Sequence, residues 1–447
     1  MRKRFLTLLL AATLAATSAV PVVTQPTNVE AATKKATKKT TKTKKSTKKK
    51  KVSADQKAAD KVAKLIDQIY VQKRTATTDA DCKKAKLAWD KLTSKQKKLV
   101  GNNKGSYQAD YADPDYFGRD TGDASTDNPL NWNHIGDNEI LVVSFGTSFN
   151  SSREADIGGV ERALTKAYAN QGWSVRRAFT SQIIINHVQA RDGEKIDNVD
   201  QALQRAVDNG VKNLVIQPTH LMHGNEYDEL KEEVNAYASK FQTVTFSEPL
   251  LGEVGADTKT VNADKETVAK AVTAEAVKED GDTSLEAAAQ AGTAFVFMGH
   301  GTSHKAAITY DQMQSQMEDL GYKNVFIGTV EGKPADTACD QVIAKVRAFG
   351  YKKVVLRPLM VVAGDHANND MAGDDADSWK SQFVKAFGSK NVKCQIAGLG
   401  RISDIEQIYV NHLAEAVAAN KTLTVSAVTG GAIQAVKAPV SAKKKLN

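Results

Sequence analysis

Two pairs of similar stretches decide the fold of this chain. The first pair is ILVVSFGTS at residues 140–148 and FVFMGHGTS at 295–303; the second is NLVIQPTHLMHGNEYD at 213–228 and KVVLRPLMVVAGDHANND at 353–370. Each stretch opens with an apolar, β-branched run and breaks at a glycine-containing turn, the pattern of a buried strand followed by a loop. Because the order is the same in both halves, the repeat predicts two similar lobes. A duplication whose halves kept no shared role is the alternative.

Strand-like runs alternate with amphipathic stretches throughout residues 138–420. The predicted strands cover residues 140–145, 175–179, 214–217 and 243–246, and then 294–298, 324–329, 354–356 and 394–397. Helical periodicity lies between them, for example at 160–169 and 199–207. This alternation predicts an α/β fold of two similar doubly wound parallel-sheet lobes, at 138–280 and 281–420. A ligand is then expected in an active cleft between the lobes, at the carboxyl ends of the strands.

Residues 1–31 have the layout of a secretory signal peptide. Basic residues at positions 2–4 precede an apolar run at 5–20, and a small-residue cleavage site follows at 29–31. We therefore expect cleavage after Ala31, export, and an extracellular or cell-surface location. The alternative is an uncleaved anchor, which is disfavoured because the apolar run is short of the ~20 residues of a spanning helix.

Residues 32–53 are a low-complexity stretch of Lys, Thr, Ala and Ser, which predicts a disordered tether. Its charge favours association with an anionic cell wall or membrane surface, and a plain solubilising spacer is the alternative. The net charge of +9 is concentrated there, so residues 52–447 carry a small net negative charge. The basic face that nucleic-acid binding requires is missing, and we expect no nucleic-acid partner. Residues 421–447 are predicted as a solvated C-terminal tail.

Residues 54–103 show helical periodicity and predict a small all-helical module. Within it, Thr93 and Gln96 form a predicted capping box for a last short helix. The module resembles a helical repeat common on surface proteins of Gram-positive bacteria, with KLTSKQKKLVGNN as the closing segment. Residues 104–137, which are rich in Asp, Gly, Asn and Tyr, predict a linker to the first lobe.

The composition and the sequence motifs exclude several classes of protein. The 447 residues are 41% hydrophobic and 25% charged, with a mean hydropathy of −0.40, which excludes a polytopic membrane protein. The three cysteines are widely spaced and form no CxxC pair, so neither a disulfide framework nor a zinc-knuckle pattern is present. The chain also lacks P-loop spacing, a GxGxxG fingerprint and a GxSxG elbow.

Three polar residues are expected at one sheet edge of the second lobe. His300 lies where the first predicted strand of that lobe breaks into a glycine-flanked turn. Glu331 follows the second strand, and His366 follows the third. Two imidazoles and a carboxylate suit Co²⁺, Ni²⁺, Fe²⁺ or Zn²⁺ and leave coordination positions open for an exchangeable partner. The sequence therefore predicts a metal site; three unrelated polar residues at loop mouths are the alternative.

The remaining histidines form no comparable group. We expect structural or surface roles for His134, His187, His220, His223, His304 and His412. Of these, His223 is the strongest exception because it lies beside the rim of the first lobe.

Six blocks of sequence, in order, give the chain a resemblance to a known family. The blocks are ILVVSFGTS, RAFTSQIIINHVQARDG, VIQPTHLMHGNEYDEL, VFMGHGTSH, FIGTVEGKP and RPLMVVAGDHANNDMAGDDADSWKSQF. Together they resemble the anaerobic cobalt chelatase family, the sirohydrochlorin cobaltochelatases of the class II chelatase type. The resemblance spans residues 138–419 and includes both predicted lobes.

The resemblance implies a lyase, a metallochelatase that inserts a divalent metal into a tetrapyrrole without ATP. The metal is a substrate, with Co²⁺ expected and Ni²⁺ or Fe²⁺ as alternatives, and sirohydrochlorin is the expected tetrapyrrole of an anaerobic cobalamin biosynthesis step. His300 is implied as the base and a metal ligand, and Glu331 and His366 as further ligands. Glu226 is implied as a catalytic acid of the first lobe that lines the cleft.

The sequence departs from the family pattern in two respects. Thr219, Met222, His223 and Asn225 stand where family members more often carry apolar residues, proline and a second acid, which bears on substrate preference. The predicted export signal is the second departure, because cobalamin assembly is normally cytoplasmic. Two alternatives therefore stand beside the chelatase. One is an exported haem- or tetrapyrrole-binding scavenging protein without turnover, and the other is a surface protein that only buffers metal.

Overall fold

The computed structural model describes residues 52–101 and 116–428. The predicted signal peptide, nearly all of the predicted tether, part of the linker and most of the C-terminal tail lie outside these residues. Among the described helices, none combines the length and apolar character needed to cross a membrane.

The first three helices form a small module. They are α1 (Ala54–Ile69), α2 (Thr78–Asp90) and α3 (Ser94–Lys97). Ser53 caps α1 by accepting a hydrogen bond from the Gln56 backbone N–H, and the apolar face of α1 packs against α2. The predicted capping box is confirmed: the Thr93 side chain accepts from the Gln96 N–H, and the Gln96 side chain accepts from the Thr93 N–H.

The module docks on a helix of the first lobe, α6 (Gln182–Asp192). The Asn186 side-chain amide donates to the Ile69 carbonyl at 2.8 Å, which satisfies the end of α1. The Tyr116 ring stacks on the His187 imidazole with centroids 3.8 Å apart. The module and α6 thus share a continuous buried interface that includes polar contacts.

Each lobe contains a four-stranded parallel sheet. The strands of the first are β1 (Asn138–Ser144), β2 (Ser174–Phe179), β3 (Asn213–Pro218) and β4 (Thr243–Phe246), in the order β2-β1-β3-β4. Those of the second are β5 (Thr293–Gly299), β6 (Val325–Thr329), β7 (Lys353–Pro358) and β8 (Val392–Cys394), in the order β6-β5-β7-β8. The two orders are equivalent, and the α/β prediction of two similar doubly wound lobes is confirmed. The last strand overlaps the predicted 394–397 only at Cys394, because its pairing with β7 runs from Val392 to Cys394.

Helices cover both faces of each sheet. In chain order they are α4 (Asn150–Ser152), α5 (Gly158–Tyr168), α6, α7 (Val199–Asp208), α8 (Asn225–Tyr237), α9 (Ala263–Asp280), α10 (Leu285–Gln290), α11 (Ile308–Asp319), α12 (Cys339–Ala348), α13 (Trp379–Phe387) and α14 (Ser403–Val428). The strands read as continuous apolar runs because both faces are buried. One large apolar cluster runs through both lobes on the side of α5, α9, α11 and α14.

Two helices are exchanged between the lobes. The last helix, α14, packs on the first sheet, where Asn420 bonds to the Thr243 hydroxyl at 2.7 Å. In return, α9 packs among helices of the second lobe, and the Gln395 amide donates to the Ala276 carbonyl at 2.9 Å. The packing of the lobes therefore differs from the division of the chain at residue 280, because each sheet is covered by a helix that the other half of the sequence supplies.

Residues 116–127 form a strap over the first lobe. The Asp127 carboxylate accepts hydrogen bonds from Arg153 at 2.7 Å and from Arg177 at 2.7 and 2.9 Å, and all three side chains are at most 2% exposed. The Arg119 guanidinium reaches the second lobe, where it donates to the Asn369 side chain at 3.0 Å. The strap therefore contacts both lobes, although its polar composition predicts only a linker.

Candidate active site

His300, Glu331 and His366 come together at one edge of the second sheet. His300 follows β5 directly, Glu331 follows β6, and His366 lies beyond the end of β7. These three strands are neighbours and parallel, so their carboxyl ends lie at the same edge. The imidazole rings of His300 and His366 are 4.6 Å apart in an edge-to-face arrangement. The Glu331 N–H donates to the His300 carbonyl at 3.0 Å, which ties the two loops together.

The turn after His300 requires a glycine at position 301. Gly301 has φ +91°, and a Cβ there would lie 3.0 Å from Glu331 Cβ and 3.1 Å from Thr329 Cβ. Its N–H donates to the Tyr310 hydroxyl at 3.1 Å. Only a residue without a side chain allows this close approach, so the glycine fixes His300 against Glu331.

Both imidazoles use Nδ1 for a contact within the protein. His300 Nδ1 lies 2.8 Å from the Gly301 carbonyl, and His366 Nδ1 lies 2.6 Å from the Asp370 carboxylate. An oxygen of either type only accepts, so in each ring Nδ1 carries the proton that is donated. This arrangement leaves Nε2 of both rings available to a ligand, as is usual for metal-binding histidines.

The two histidines have opposite electrostatic environments. Burial, and then the charge of His366, lowers the pKa of His300 below its ordinary value. Burial alone would also lower the pKa of His366, but the hydrogen bond and charge of Asp370, with Asp365 and Glu331, raise it above the ordinary value. His300 is therefore the neutral, proton-accepting member of the pair near pH 7.

Glu226 lies in the first lobe, in the first turn of α8. Its side chain is 51% exposed, and Oε2 lies 3.7 Å from Nε2 of the buried His220. Partial desolvation and the nearby charge of Glu229 raise the pKa of Glu226 to about 7, while the charge of His366 lowers it. Glu226 and His366 belong to different lobes, and they are close enough for the charge of His366 to act on the pKa of Glu226.

The three side chains at the sheet edge do not form a complete three-ligand metal site in this conformation. Within residues 52–101 and 116–428, no three His, Cys, Asp or Glu side chains are arranged to hold a metal ion. Elsewhere, Asn368 of the second lobe, Phe149 of the first and Asp123 of the strap share the wall of a cavity of about 550 Å³. Its lining includes neither Glu226 nor the three residues of the sheet edge.

The other histidines have varied surroundings. His223 bonds to Glu248 at 2.5 Å, His412 pairs with Asp264 at 3.2 Å, and His304 lies 3.5 Å from Asp228. His187 is half-buried against Tyr116 at the start of the segment 116–127, and His134 is exposed in a left-handed turn. His220 is buried in the first lobe, where its Nε2 is 3.7 Å from the Glu226 carboxylate.

Sequence reasoning missed two residues of this site. Asp370 orients His366 from four residues further along, in a π-helical turn that spans His366–Met371. Such turns occur often at functional sites, but the sequence here carries no helical periodicity that would signal one. Tyr310 supports the turn at Gly301 from α11, and only its tertiary contact identifies it.

The arrangement suits the capture of a divalent cation together with proton transfer. Two Nε2 atoms and the carboxylate of Glu331 offer nitrogen and oxygen ligands from one rim. A neutral imidazole accepts a proton near pH 7, and carboxylates reduce the free-energy cost of bringing a dication into the cleft.

Comparison with known proteins agrees with this chemistry. Residues 138–418 match the family model described as cobalt chelatase (CbiK). The chain is 35% identical over 278 residues to a sirohydrochlorin cobaltochelatase of Salmonella typhimurium, covering 62% of this chain and 96% of that protein. It is 31% identical over 282 residues to the sirohydrochlorin cobaltochelatase CbiKC of Nitratidesulfovibrio vulgaris, covering 63% and 90%.

Among solved structures, SirB from Bacillus subtilis with Fe³⁺ matches with a TM-score of 0.44 and 16% identity, over 64% of this chain and 98% of that chain. The family assignment does not depend on this likeness, because the family model covers more than half of the sequence. The chain belongs to the cobalt chelatase (CbiK) family and is a metallochelatase, a lyase.

Proposed function

We propose that this protein is a sirohydrochlorin cobaltochelatase, which inserts Co²⁺ into the tetrapyrrole without ATP. The observation that carries the proposal is the pairing of His300 and His366, each with Nδ1 engaged and Nε2 free at the cleft. The names of the relatives support the choice of cobalt and sirohydrochlorin.

Metal insertion replaces two pyrrole N–H protons by one dication, so the site must accept protons as well as deliver metal. His300 is the proposed base, because its imidazole is neutral near pH 7 and sits on a rigid turn. Glu226 is the proposed second acid–base group, on the opposite wall of the cleft. Taking up the protons in these two groups balances the charge of the incoming ion.

The metal is a substrate in this scheme. His300, Glu331 and His366 are its proposed ligands, and Ni²⁺ or Fe²⁺ would suit the same donors. Three protein ligands leave positions open for the tetrapyrrole nitrogens, so the ion can pass from the protein to the ring.

The proposal is tested by anaerobic absorbance spectroscopy of the protein with sirohydrochlorin and Co²⁺. We expect spectral conversion faster than the uncatalysed rate, and loss of that acceleration in His300→Ala with tetrapyrrole binding retained. His134→Ala, which removes an exposed histidine outside the site, is the matched control and should keep full activity. Full activity of His300→Ala would contradict the assignment of the base.

The same experiment separates the second candidate, an exported tetrapyrrole-binding scavenging protein without turnover. The signal-peptide pattern of residues 1–31 favours that candidate. A bound-tetrapyrrole spectrum with no metal insertion by the wild-type chain would support it and would exclude the chelatase.

We also propose that the protein works outside the cytoplasmic membrane and associates with the cell surface through the Lys-rich stretch of residues 32–53. Fractionation of cells that express the chain with and without Lys34 to Lys51 tests this proposal. Unchanged surface retention after the deletion would contradict the tether, and an unprocessed cytoplasmic protein would contradict export.

A further inference from the structure

His220 is a buried imidazole whose polar atoms have no use within the first lobe. The residue is 8% exposed, and neither ring nitrogen has a hydrogen-bond partner among the described residues. An unsatisfied polar group in such a place destabilises the fold, so packing alone would favour an apolar side chain. A buried group of this kind needs a functional explanation or an unseen partner.

The backbone around His220 is firmly held. The Leu250 N–H donates to the His220 carbonyl at 3.0 Å, and the Thr219 N–H donates to Val143 in β1 at 2.8 Å. From α14, the Tyr409 hydroxyl donates to the Thr219 carbonyl at 3.1 Å. Three separate elements therefore fix the position from which the imidazole projects.

The nearest charged group is the Glu226 carboxylate, with Oε2 3.7 Å from His220 Nε2. This separation is about 0.5–1 Å longer than a hydrogen bond. Glu226 is at the start of α8 and half exposed, so a small rotation of its side chain closes the gap. Burial lowers the pKa of His220 to about 4, so the ring is neutral near pH 7 and has one N–H to donate.

We propose that His220 is a positioning residue for the metallation reaction: its Nε2–H donates a hydrogen bond to the Glu226 carboxylate when the tetrapyrrole is bound, and holds that carboxylate facing the cleft. This inference rests on the proposed chelatase function. It explains why a polar ring occupies a buried site, because its partner is a flexible side chain that is engaged only during the reaction.

The test compares three variants by anaerobic metallation kinetics with Co²⁺ and sirohydrochlorin. His220→Gln places an amide N–H near the position of Nε2, whereas His220→Asn places one near Nδ1. His220→Leu removes the donor and keeps the volume. We expect kcat to fall about tenfold or more in the Leu and Asn variants, the factor that a hydrogen bond to a charged group is worth. The Gln variant should stay close to wild type, and the dissociation constant of metal-free sirohydrochlorin should be unchanged in all three.

A double-mutant cycle with Glu226→Gln identifies the residue through which His220 acts. We expect His220→Leu to have little further effect on kcat once Glu226 is replaced. If His220→Leu lowers kcat by the same factor in the wild-type and Glu226→Gln backgrounds, the inference is overturned. Equal activities of the His220→Gln and His220→Asn variants would also overturn it, and this comparison does not depend on whether His220→Leu folds. Wild-type activity with no effect of any variant would sink this inference alone, whereas an inactive wild-type chain would overturn the proposed function as well.

Discussion

Asp127 on the strap is a carboxylate whose replacement should destabilise the whole protein. It accepts three hydrogen bonds from two arginines, Arg153 and Arg177, and the side chains of all three residues are at most 2% exposed. Glu194 and Glu161 are the other partners of these arginines. Asp127→Asn keeps the shape but removes the charge, and it turns an N–H₂ group towards an arginine that can only donate.

Two independent arguments give the magnitude. Burial alone would raise the pKa of Asp127, but the hydrogen bonds and charges of Arg177 and Arg153 outweigh it and lower the pKa from 3.8 to about 2. A difference of that size corresponds to about 2–3 kcal/mol of unfolding free energy. Removal of one partner from a buried ion pair typically costs about 3–5 kcal/mol. We expect a loss of about 2–5 kcal/mol, which for a folded unit of this size lowers the melting temperature by about 3–7 °C.

Differential scanning calorimetry of the wild type and Asp127→Asn measures this effect. Asp120→Asn is the matched control, because it removes an exposed acid from the same strap and should leave the melting temperature nearly unchanged. The stabilisation by Asp127 is full above about pH 4 and is lost as the pH falls through 2, so the variant should be less stable than the wild type at pH 5.5 as well as at pH 7.5. A difference below about 2 °C, or one no larger than that of Asp120→Asn, would refute the reasoning.

Three further predictions concern the site, the module and the thiols. Gly301→Ala should lower the metallation rate at least tenfold, because the added Cβ would displace Glu331 or His300. The control is Gly321→Ala, since Gly321 also has a positive φ but has open space around it. Equal metallation rates of the two variants would contradict the role of the turn. Burial raises the pKa of Asp67 to about 6 in the folded protein, from 3.8 in the unfolded chain. Between these pH values the folded state keeps a proton on Asp67 that the unfolded chain releases. The stability of the protein therefore falls as the pH rises through 6 and Asp67 ionises in the folded state. Asp67→Asn should therefore raise the melting temperature at pH 7.5 and have little effect at pH 4, and the same shift at both values would rule this out. Burial raises the pKa of Cys82 and Cys394 to about 11 and that of Cys339 to about 12. A thiol reagent at pH 7.5 should therefore label the three cysteines quickly only after denaturation. Rapid labelling of the native protein would contradict this prediction.

Local sequence patterns were sufficient for the sheets and for the edge that carries the histidines. Strands buried on both faces appear as unbroken apolar runs, and parallel strands end at one edge, so the positions after β5, β6 and β7 had to lie near one another. The capping box followed in the same way, because its two residues contact each other within one turn.

Features that depend on tertiary contacts were not predictable from the sequence. The strap reads as a polar linker, and only the approach of two buried arginines gives Asp127 its structural role. The pairing of Asp370 with His366 requires a helical turn that the polar sequence does not indicate. Likewise, His220 looks like one histidine among several until burial and the distance to Glu226 distinguish it.

The exchange of α9 and α14 makes the two halves of the chain mutually dependent. If the backbone were cut after Asp280, each fragment would keep a helix that covers the other fragment's sheet. Expressed alone, either piece would expose an apolar sheet face and would be prone to aggregate, whereas the two together would be able to reassemble by complementation. Between β1 and α14, the polypeptide also passes from one lobe to the other twice, at residues 247–262 and 395–402. Any opening of the cleft to admit a flat macrocycle must therefore bend both connections at once, so the two segments together act as the hinge between the lobes.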